Sequence, residues 1–346
     1  MSPAPCPSFG LGWGIAGFGW VARDHAAPAM LASGHSVRAV CDPDPAARAA
    51  AQARFRPKGG VHADLEPLLN DPAVTAIYVA APNDCHRSIV EAAASAGKPV
   101  LCEKPMASTL ADAEAMAEAV SSAGILFGTA FDQRHHPAHA AMRDAIRDGA
   151  VGVPTAIRIV YACWLGAEWT MTGEGDNWRT DPSRAGGGAL MDLAPHGLDL
   201  AEFLLGEPVE QVAAFTQNRV QDYAVDDGAM LMGRTAGGVL VQLHVAYNCP
   251  EVLPRRRLEV IGAGGQMVAR DTMGQTAGGD VMLTDATGAS RALPISDAIA
   301  SPFHRQMAAF ADAVAGGGGG AVFSLARDLH TMRLLHRAYA GDAGCP

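Results

Sequence analysis

Five short apolar runs, each followed by a change of pattern, occupy the first third of the chain: "LGWGIAG", "HSVRAVCD", "VTAIYVAAP", "KPVLCE" and "ILFGTAFD". Between them lie the helical patterns "FGWVARDHAAPAMLAS", "PAARAAAQARF", "HRSIVEAAASAG" and "TLADAEAMAEAVSSAG". Strands separated by helices run parallel, because each helix carries the chain back to the start of the next strand. The alternation predicts a doubly wound parallel sheet, an α/β domain over residues 1–131. Beyond it the pattern changes. A helical piece, "PAHAAMRDAIRDG", leads to "TAIRIVYACW" and the glycine-led "GGGALMDLAPHGLDL" at 186–200. Six strand candidates follow, "VEQVAAFTQ", "GAMLMGR", "GVLVQLHVAY", "RLEVIG", "GQMVAR" and "DVMLTD", several joined by Gly-rich hairpin turns. Two helical patterns close the chain, with the glycine run at 316–320 read as the loop between them. Residues 132–346 are thus expected to form an α+β domain with a largely antiparallel open sheet. A chain of 346 residues fits two such cores better than one.

Composition excludes several roles. With 49% hydrophobic and 18% charged residues and no bilayer-length apolar run, the chain reads as a soluble protein with no membrane role. A net charge of −10, and no basic cluster larger than Arg255-Arg256-Arg257, argue against a nucleic-acid partner. Cys6, Cys41, Cys85, Cys102, Cys163, Cys249 and Cys345 are odd in number, scattered and never in a CxxC pair, which suits reduced thiols. The first ten residues lack a basic and then apolar leader, so a cytoplasmic location is expected.

Gly17-Phe18-Gly19-Trp20-Val21-Ala22 is a GxGxxA turn between the first strand and its helix. Glycine permits a tight turn and lets the backbone approach a pyrophosphate, whose charge is favoured at a helix N-terminus. Asp42 ends the second strand, where a carboxylate accepts from both ribose hydroxyls and repels a 2′-phosphate, so NAD is expected rather than NADP. "AAPNDCH" (80–86) and "CEKPMA" (102–107) begin where parallel strands end, and loops there face the ligand crevice. Ala81, Pro82, Asn83, His86 and Glu103 therefore join the cofactor-binding candidates. Asn83 or Asp84 also suits a helix cap, and His86 a structural place in the helix's first turn. Lys104, followed by Pro105, is placed to hold a hydroxyl and to stabilise the charge left when its proton departs.

In "GGGALMDLAPHGLDL", Asp192, His196 and Asp199 are spaced by four and three, which puts them on one helix face. A metal site, a general base and an ordinary capped helix all match that spacing. His135, His136 and His139 offer a second possible ligand set, but zinc needs three or four converging groups and neither cluster supplies them in sequence, so no metal is expected. Trp164, Trp169, Trp178 and Arg179 precede the glycines and suit a polyol or anionic sugar, the cofactor itself, or a core.

GxGxxA, "PNDCH", "CEKP", "HHP" at 135–137, "WR" at 178–179 and the glycine-led segment occur in the order and spacing of the Gfo/Idh/MocA oxidoreductases, which the chain resembles from about residue 11 to 340. The resemblance implies an N-terminal Rossmann domain. It also implies a C-terminal domain carrying the substrate site and often the subunit contacts, hence a homo-oligomer, dimer or tetramer. The implied reaction is hydride transfer between a nicotinamide and a hydroxyl or carbonyl carbon of a sugar, polyol or inositol-like substrate. Carried over by position, the catalytic residues are Lys104, Asp192 and His196, with Trp164, Trp178 and Arg179 added on the substrate side. Imidazole suits proton removal from an alcohol, worth roughly 10²–10⁴ in rate; Asp192 would orient it or bind substrate, or cap the helix. Pro195, where the family often has a small or aliphatic residue, is expected to place His196 in the helix's first turn. A glycosidase or lyase using NAD without net redox change, and a non-catalytic NAD-binding regulator, are the alternatives.

Overall fold

Parallel pairing begins with β1 (Gly12–Ala16), whose five residues are all buried. The computed structural model describes residues 10–169, 177–317 and 322–341 and divides into two compact units. The first comprises residues up to Met106, Ala111–Ala130 and Phe303–Asp328. Its strands are β1, β2 (Ser36–Cys41), β3 (Val61–His62), β4 (Ala76–Val79), β5 (Val100–Cys102) and β6 (Phe127–Thr129), in the order β3-β2-β1-β4-β5-β6 and parallel throughout. The order reverses beside β1, with β2 on one side and β4 on the other. That reversal opens a crevice at the carboxyl ends of β1 and β4.

The first crossover helix starts at Trp20, passes through a π turn at Ala22–Ala26 and continues as α1 (Ala27–Ala32). It is followed by α2 (Pro45–Phe55), α3 (Glu66–Asn70), α4 (His86–Ser95) and α5 (Leu110–Ala123). Asp44 starts α2 by accepting from Ala46 N at 2.9 Å, with Pro45 at the first position, where its missing N–H costs nothing. Neither Asn83 nor Asp84 caps α4 as expected. A 3₁₀ turn at Asn83–Cys85 leads into it, Cys85 holds the N-cap position, and no side chain caps it.

Two departures from the expected first domain stand out. β3, only two residues long, had no apolar run to announce it. Phe303–Asp328, expected in the second domain, belongs to the first unit: the Trp13 and Phe310 rings lie 5.4 Å apart, and Phe310 meets Phe323 edge-on at 5.1 Å. A single cut at 131 therefore misses this return of the chain, because aromatic packing across nearly three hundred residues leaves no local pattern.

The second unit comprises Ala107–Leu110, Phe131–Pro302 and the chain from Leu329. It holds β7 (Pro154–Ala162), β8 (Val209–Gln217), β9 (Gly228–Thr235), β10 (Leu240–Ala246), β11 (Arg256–Gly262), β12 (Gly265–Arg270), β13 (Asp280–Asp285) and β14 (Ser290–Ala292). These form one sheet in the order β14-β13-β12-β11-β7-β10-β9-β8, antiparallel except where β7 meets β10. The helices are α6 (Pro137–Arg147), α7 (Pro182–Ala185) and α8 (Ala189–Leu205), then α9 (Pro302–Val314), which falls in the first unit, and α10 (Leu325–Gly341). Of the glycine run, 318–320 lie outside the described residues, as do the first nine residues with Cys6, and Cys345. Among the described residues, Cys41, Cys85, Cys102, Cys163 and Cys249 form no disulfide. Among the described residues no helix is long and apolar enough to cross a membrane.

Helix α8 lies on one face of this sheet, and its start is built by residues distant in sequence. Asp226 accepts from Gly188 N and Leu190 N at 2.8 Å each, its carbonyl accepts from Ala189 N at 2.9 Å, and Tyr339 OH accepts from Met191 N at 3.1 Å. These acceptors satisfy the N–H groups that a helix start leaves without intrahelical partners. Gly188 is required there, since a Cβ would lie 1.9 Å from the Asp226 carbonyl oxygen. Asp192 is thus not the N-cap. With the helix beginning at Ala189, Pro195 is an interior residue and His196 lies beyond the first turn, contrary to the expectation. Pro195 deprives the Met191 carbonyl of its usual i+4 donor. Asp226→Ala removes the acceptor of Gly188 N, Leu190 N and the Tyr339 hydroxyl, and is expected to lower unfolding free energy by about 1–3 kcal/mol. Thermal unfolding followed by circular dichroism measures this, and an unchanged Tm would contradict the capping role.

Candidate functional site

In the first unit, the loop after β1 rests directly on the loop after β4. Gly17 has φ +87°, and a Cβ on it would lie 2.5 Å from Ala81 N, so only glycine closes this turn. Gly17 N donates to the Cys41 carbonyl at 2.8 Å. Phe18 is buried with its ring edge-on to Phe55 at 5.8 Å, which anchors the loop between Gly17 and Gly19. The helix opening at Trp20 and Val21 presents its first-turn N–H groups and positive dipole end at this loop. Trp20 packs against the His25 ring at 4.9 Å.

Asp42 does more than its position at the end of β2 suggested. Its Oδ2 accepts from Phe18 N at 2.7 Å and its Oδ1 from Asp44 N at 2.8 Å, so the carboxylate ties the glycine turn to the second strand. A carboxylate has about four acceptor positions, so two bonds leave capacity for ribose hydroxyls. A glycine-closed turn, an adjacent helix start and a carboxylate at the neighbouring strand end together fit a dinucleotide.

His86 joins the two loops expected to flank that ligand. Fully buried, it sets Nε2 2.9 Å from the Ala81 carbonyl and Nδ1 3.1 Å from the Pro105 carbonyl. Burial holds its pKa below the usual imidazole value, against the upward pull of these carbonyls. Its place is structural, between the Ala81-Pro82 and Lys104-Pro105 segments; the Lys104–Pro105 peptide is cis. Glu103 is buried, accepts a hydrogen bond from the Tyr78 hydroxyl on Oε1 and accepts from Lys104 N at 3.3 Å on Oε2. Lys104 is partly buried, with its main chain held by these contacts.

In the second unit the polar face of α8 has been divided among three partners. Asp192, half-buried, accepts from the Tyr247 hydroxyl at 2.7 Å. Burial and then the Asp192 charge push the Tyr247 pKa well above the usual phenol value, so Tyr247 remains the donor. His196 is 4% exposed, its Nδ1 lies 3.3 Å from Asp132 Oδ1, and the Tyr161 ring meets it edge-on at 5.5 Å. Asp199 is fully buried and held by Arg134 in a two-point ion pair, with Nε to Oδ2 at 3.0 Å. The third member of the α8 pattern is therefore a structural anchor.

Arg179 is clamped between two indoles, 4.4 Å from the Trp178 ring centroid and 4.8 Å from that of Trp169. Asn177 Oδ1 accepts from Arg179 N at 3.3 Å, and the cation lies near enough to Tyr247 to oppose the rise in its pKa. Trp164 is 43% exposed and bridges to Asn248, so it is not a core residue. The histidines at 135–139 take other parts. His136 Nδ1 accepts from Ala138 N at 3.2 Å and starts α6. His139 is buried between the Gln133 carbonyl and Thr272 Oγ1, and burial followed by His136 holds its pKa down at about 3. Among the described residues no group of three or more His, Cys, Asp or Glu side chains is placed to hold a metal ion.

Asp132 and Tyr247 escaped the sequence reading. Asp132 ends "ILFGTAFD", and a carboxylate closing a parallel strand run is the signal that could have found it. Tyr247 has no comparable signal, since only the sheet brings it to Asp192.

Comparison with known proteins gives consistent findings over both units. Residues 11–131 match the family model described as "Oxidoreductase family, NAD-binding Rossmann fold", and residues 139–268 match "GFO/IDH/MocA C-terminal domain". The chain is 36% identical to a 1,5-anhydro-D-fructose reductase of Ensifer adhaerens over 307 residues, which is 88% of this chain and 89% of the relative. It is 32% identical to a levoglucosan dehydrogenase of Pseudarthrobacter phenanthrenivorans over 291 residues, 75% and 73% of the two chains. An aldose-aldose oxidoreductase from Caulobacter crescentus shares the fold, with a TM-score of 0.84 at 24% identity, covering 96% of this chain and 98% of that one. The first unit is thus an NAD-binding Rossmann fold. Gly17→Ala would force the glycine turn away from Ala81, and NADH affinity is expected to fall about tenfold or more. Fluorescence titration measures this; unchanged affinity would remove the turn from the cofactor site.

Proposed function

The chain belongs to the Gfo/Idh/MocA oxidoreductases, and from that premise we propose that it transfers hydride between NAD and a carbinol or carbonyl carbon of a sugar, polyol or inositol-like substrate. The observation that carries the reading is the face of α8, where a buried imidazole and a carboxylate one turn apart each have a fixed partner. The named relatives, a reductase and a dehydrogenase of carbohydrates, support the substrate class.

NAD, when bound, supplies the hydride acceptor. The chain's own residues manage the proton and the hydroxyl. His196 takes the carbinol proton during oxidation and returns it during reduction. Lys104 steadies the oxygen as negative charge develops on it, the kind of contact that acts most strongly where water is excluded. Asp192, kept in place by the Tyr247 hydroxyl, accepts from a substrate hydroxyl. Trp164, Trp178 and Arg179 supply flat apolar surface and a forked donor to a carbohydrate. Asp42 selects NAD over NADP by repelling a 2′-phosphate. Because it also holds the Phe18 amide, Asp42→Ser loosens the glycine turn as well as changing selectivity.

We also read the outer face of the second sheet as the contact with further copies of the chain. Phe215 (78% exposed) stands opposite Met230 across β8 and β9, with Met232 and Leu240 on the same face, while the alternate residues Ala229 and Leu231 are buried. Exposed apolar clusters of this kind mark association surfaces. In sedimentation velocity, the parent is expected to run as a dimer or tetramer and Phe215→Glu as a smaller species; a monomeric parent would contradict this reading.

Activity on a panel of sugars, inositols and their keto forms, followed by NADH absorbance, tests the function itself. Lys104→Met should retain NAD binding and lose roughly two or more decades in turnover. His196→Ala should lose the rise of oxidation kcat/KM with pH, along with about 10²–10⁴ in rate. Parent-like rates and pH profile in both variants would refute the assignments.

A further inference from the structure

Asp132 and His196 lie side by side with both side chains only 5% exposed, and Asp132 has its second oxygen occupied in an informative way. Gln133 Nε2 donates to Asp132 Oδ2 at 2.9 Å and to the Gly274 carbonyl at 2.9 Å, while Gln133 Oε1 accepts from Gly274 N at 3.3 Å. The two backbone bonds to Gly274 settle which end of the Gln133 amide carries the protons. Asp132 Oδ2 must accept. Its Oδ1 lies 3.3 Å from His196 Nδ1, a charged contact short of a closed hydrogen bond, and a carboxylate facing that buried nitrogen favours the ring proton on Nδ1.

We infer that Asp132 is a positioning residue that holds His196 as its Nδ1–H tautomer and so makes Nε2 the atom that exchanges a proton with the substrate. This rests on the proposed role of His196 as base. The Gly274–Gln133–Asp132–His196 chain supplies what a base needs from a third group: a fixed ring plane, a fixed tautomer and a negative charge beside the imidazolium that forms. The proton leaves the substrate hydroxyl for Nε2, and Asp132 itself stays ionised.

The chain of bonds makes an unusual demand of the variants. In Asp132→Asn, Gln133 still donates, so the Asn carbonyl oxygen turns to Gln133 and the Asn NH₂ faces His196 Nδ1. That nitrogen must then accept, and the ring switches to the Nε2–H tautomer, which cannot act as base. Asp132→Ala leaves the tautomer free to equilibrate. The inference therefore expects the isosteric Asn variant to lose about 10²–10⁴ in kcat/KM, the scale of a wrong-tautomer histidine, and the Ala variant to lose less. A purely structural Asp132 gives the reverse order, because Asn preserves shape and Ala opens a gap.

The test joins those rates to ¹⁵N NMR of the histidine side chains in the full-length protein at about pH 8, where an ordinary imidazole is neutral, with His196→Gln identifying the His196 signals. Expected in the parent are a protonated Nδ1 and an unprotonated Nε2, exchanged in Asp132→Asn. An Nε2–H parent tautomer, or an Asn variant as active as the parent while His196→Ala is inactive, would overturn the inference. Retained activity in His196→Ala would instead refute the base assignment, and the parent tautomer is read independently of every activity. Should Asp132→Asn fail to fold, the parent tautomer and the Ala variant's rate and NMR signals still decide the matter.

Discussion

The buried ion pair between Arg134 and Asp199 sets the geometry of the second unit's polar face. Arg134 belongs to the 3₁₀ turn Asp132–His135, and Asp199 lies one helical turn beyond His196 on α8. Joining them at two points fixes the register of turn and helix, and that register brings Asp132 Oδ1 to His196 Nδ1. The Arg134 guanidinium also lies over the Phe203 ring at 5.4 Å, so the cation has a flat apolar neighbour as well as a charged one. Breaking such a pair from one side typically costs about 3–5 kcal/mol, because the remaining charge is stranded. The chain spends a carboxylate on anchoring so that the residues on either side of it can be aimed.

A second constraint fixes where α8 begins. Asp226 supplies acceptors from another part of the chain, and burial raises its carboxyl pKa while the bonds from Leu190, Tyr339 and Gly188 pull it back. Because the start is set at Ala189, Asp192 is released from capping and can meet Tyr247, and Pro195 is carried into the helix interior. The three glycines before the helix then have a reason that concerns packing as well as turning: the Asp226 main chain passes where the Gly188 side chain would be.

What could be read from the sequence was local. The runs that became β1, β2, β4, β5 and β6 alternate with helices at a pace only parallel winding permits, and the Gly17 turn follows from a strand meeting a helix. The hairpins of the second sheet were similarly visible, β8 to its end residues. What could not be read was made by distance. Two-residue β3, the return of Phe303–Asp328, the Asp226 cap, and the partnerships of Asp132 and Tyr247 all depend on chain segments meeting across tens to hundreds of residues. The spacing of Asp192, His196 and Asp199 correctly put three polar groups on one face, yet gave no means to tell the anchor, Asp199, from the other two.

Hydride transfer from a carbohydrate carbon to a nicotinamide is the proposed reaction, and isotope transfer reads that event without reference to any one residue. Sugars and inositols deuterated at carbon are incubated with NAD and the protein, and the reduced cofactor is examined by mass spectrometry. NADH carrying one deuterium for each substrate oxidised is the expected product. Turnover of substrate with no deuterium in the nicotinamide would contradict hydride transfer.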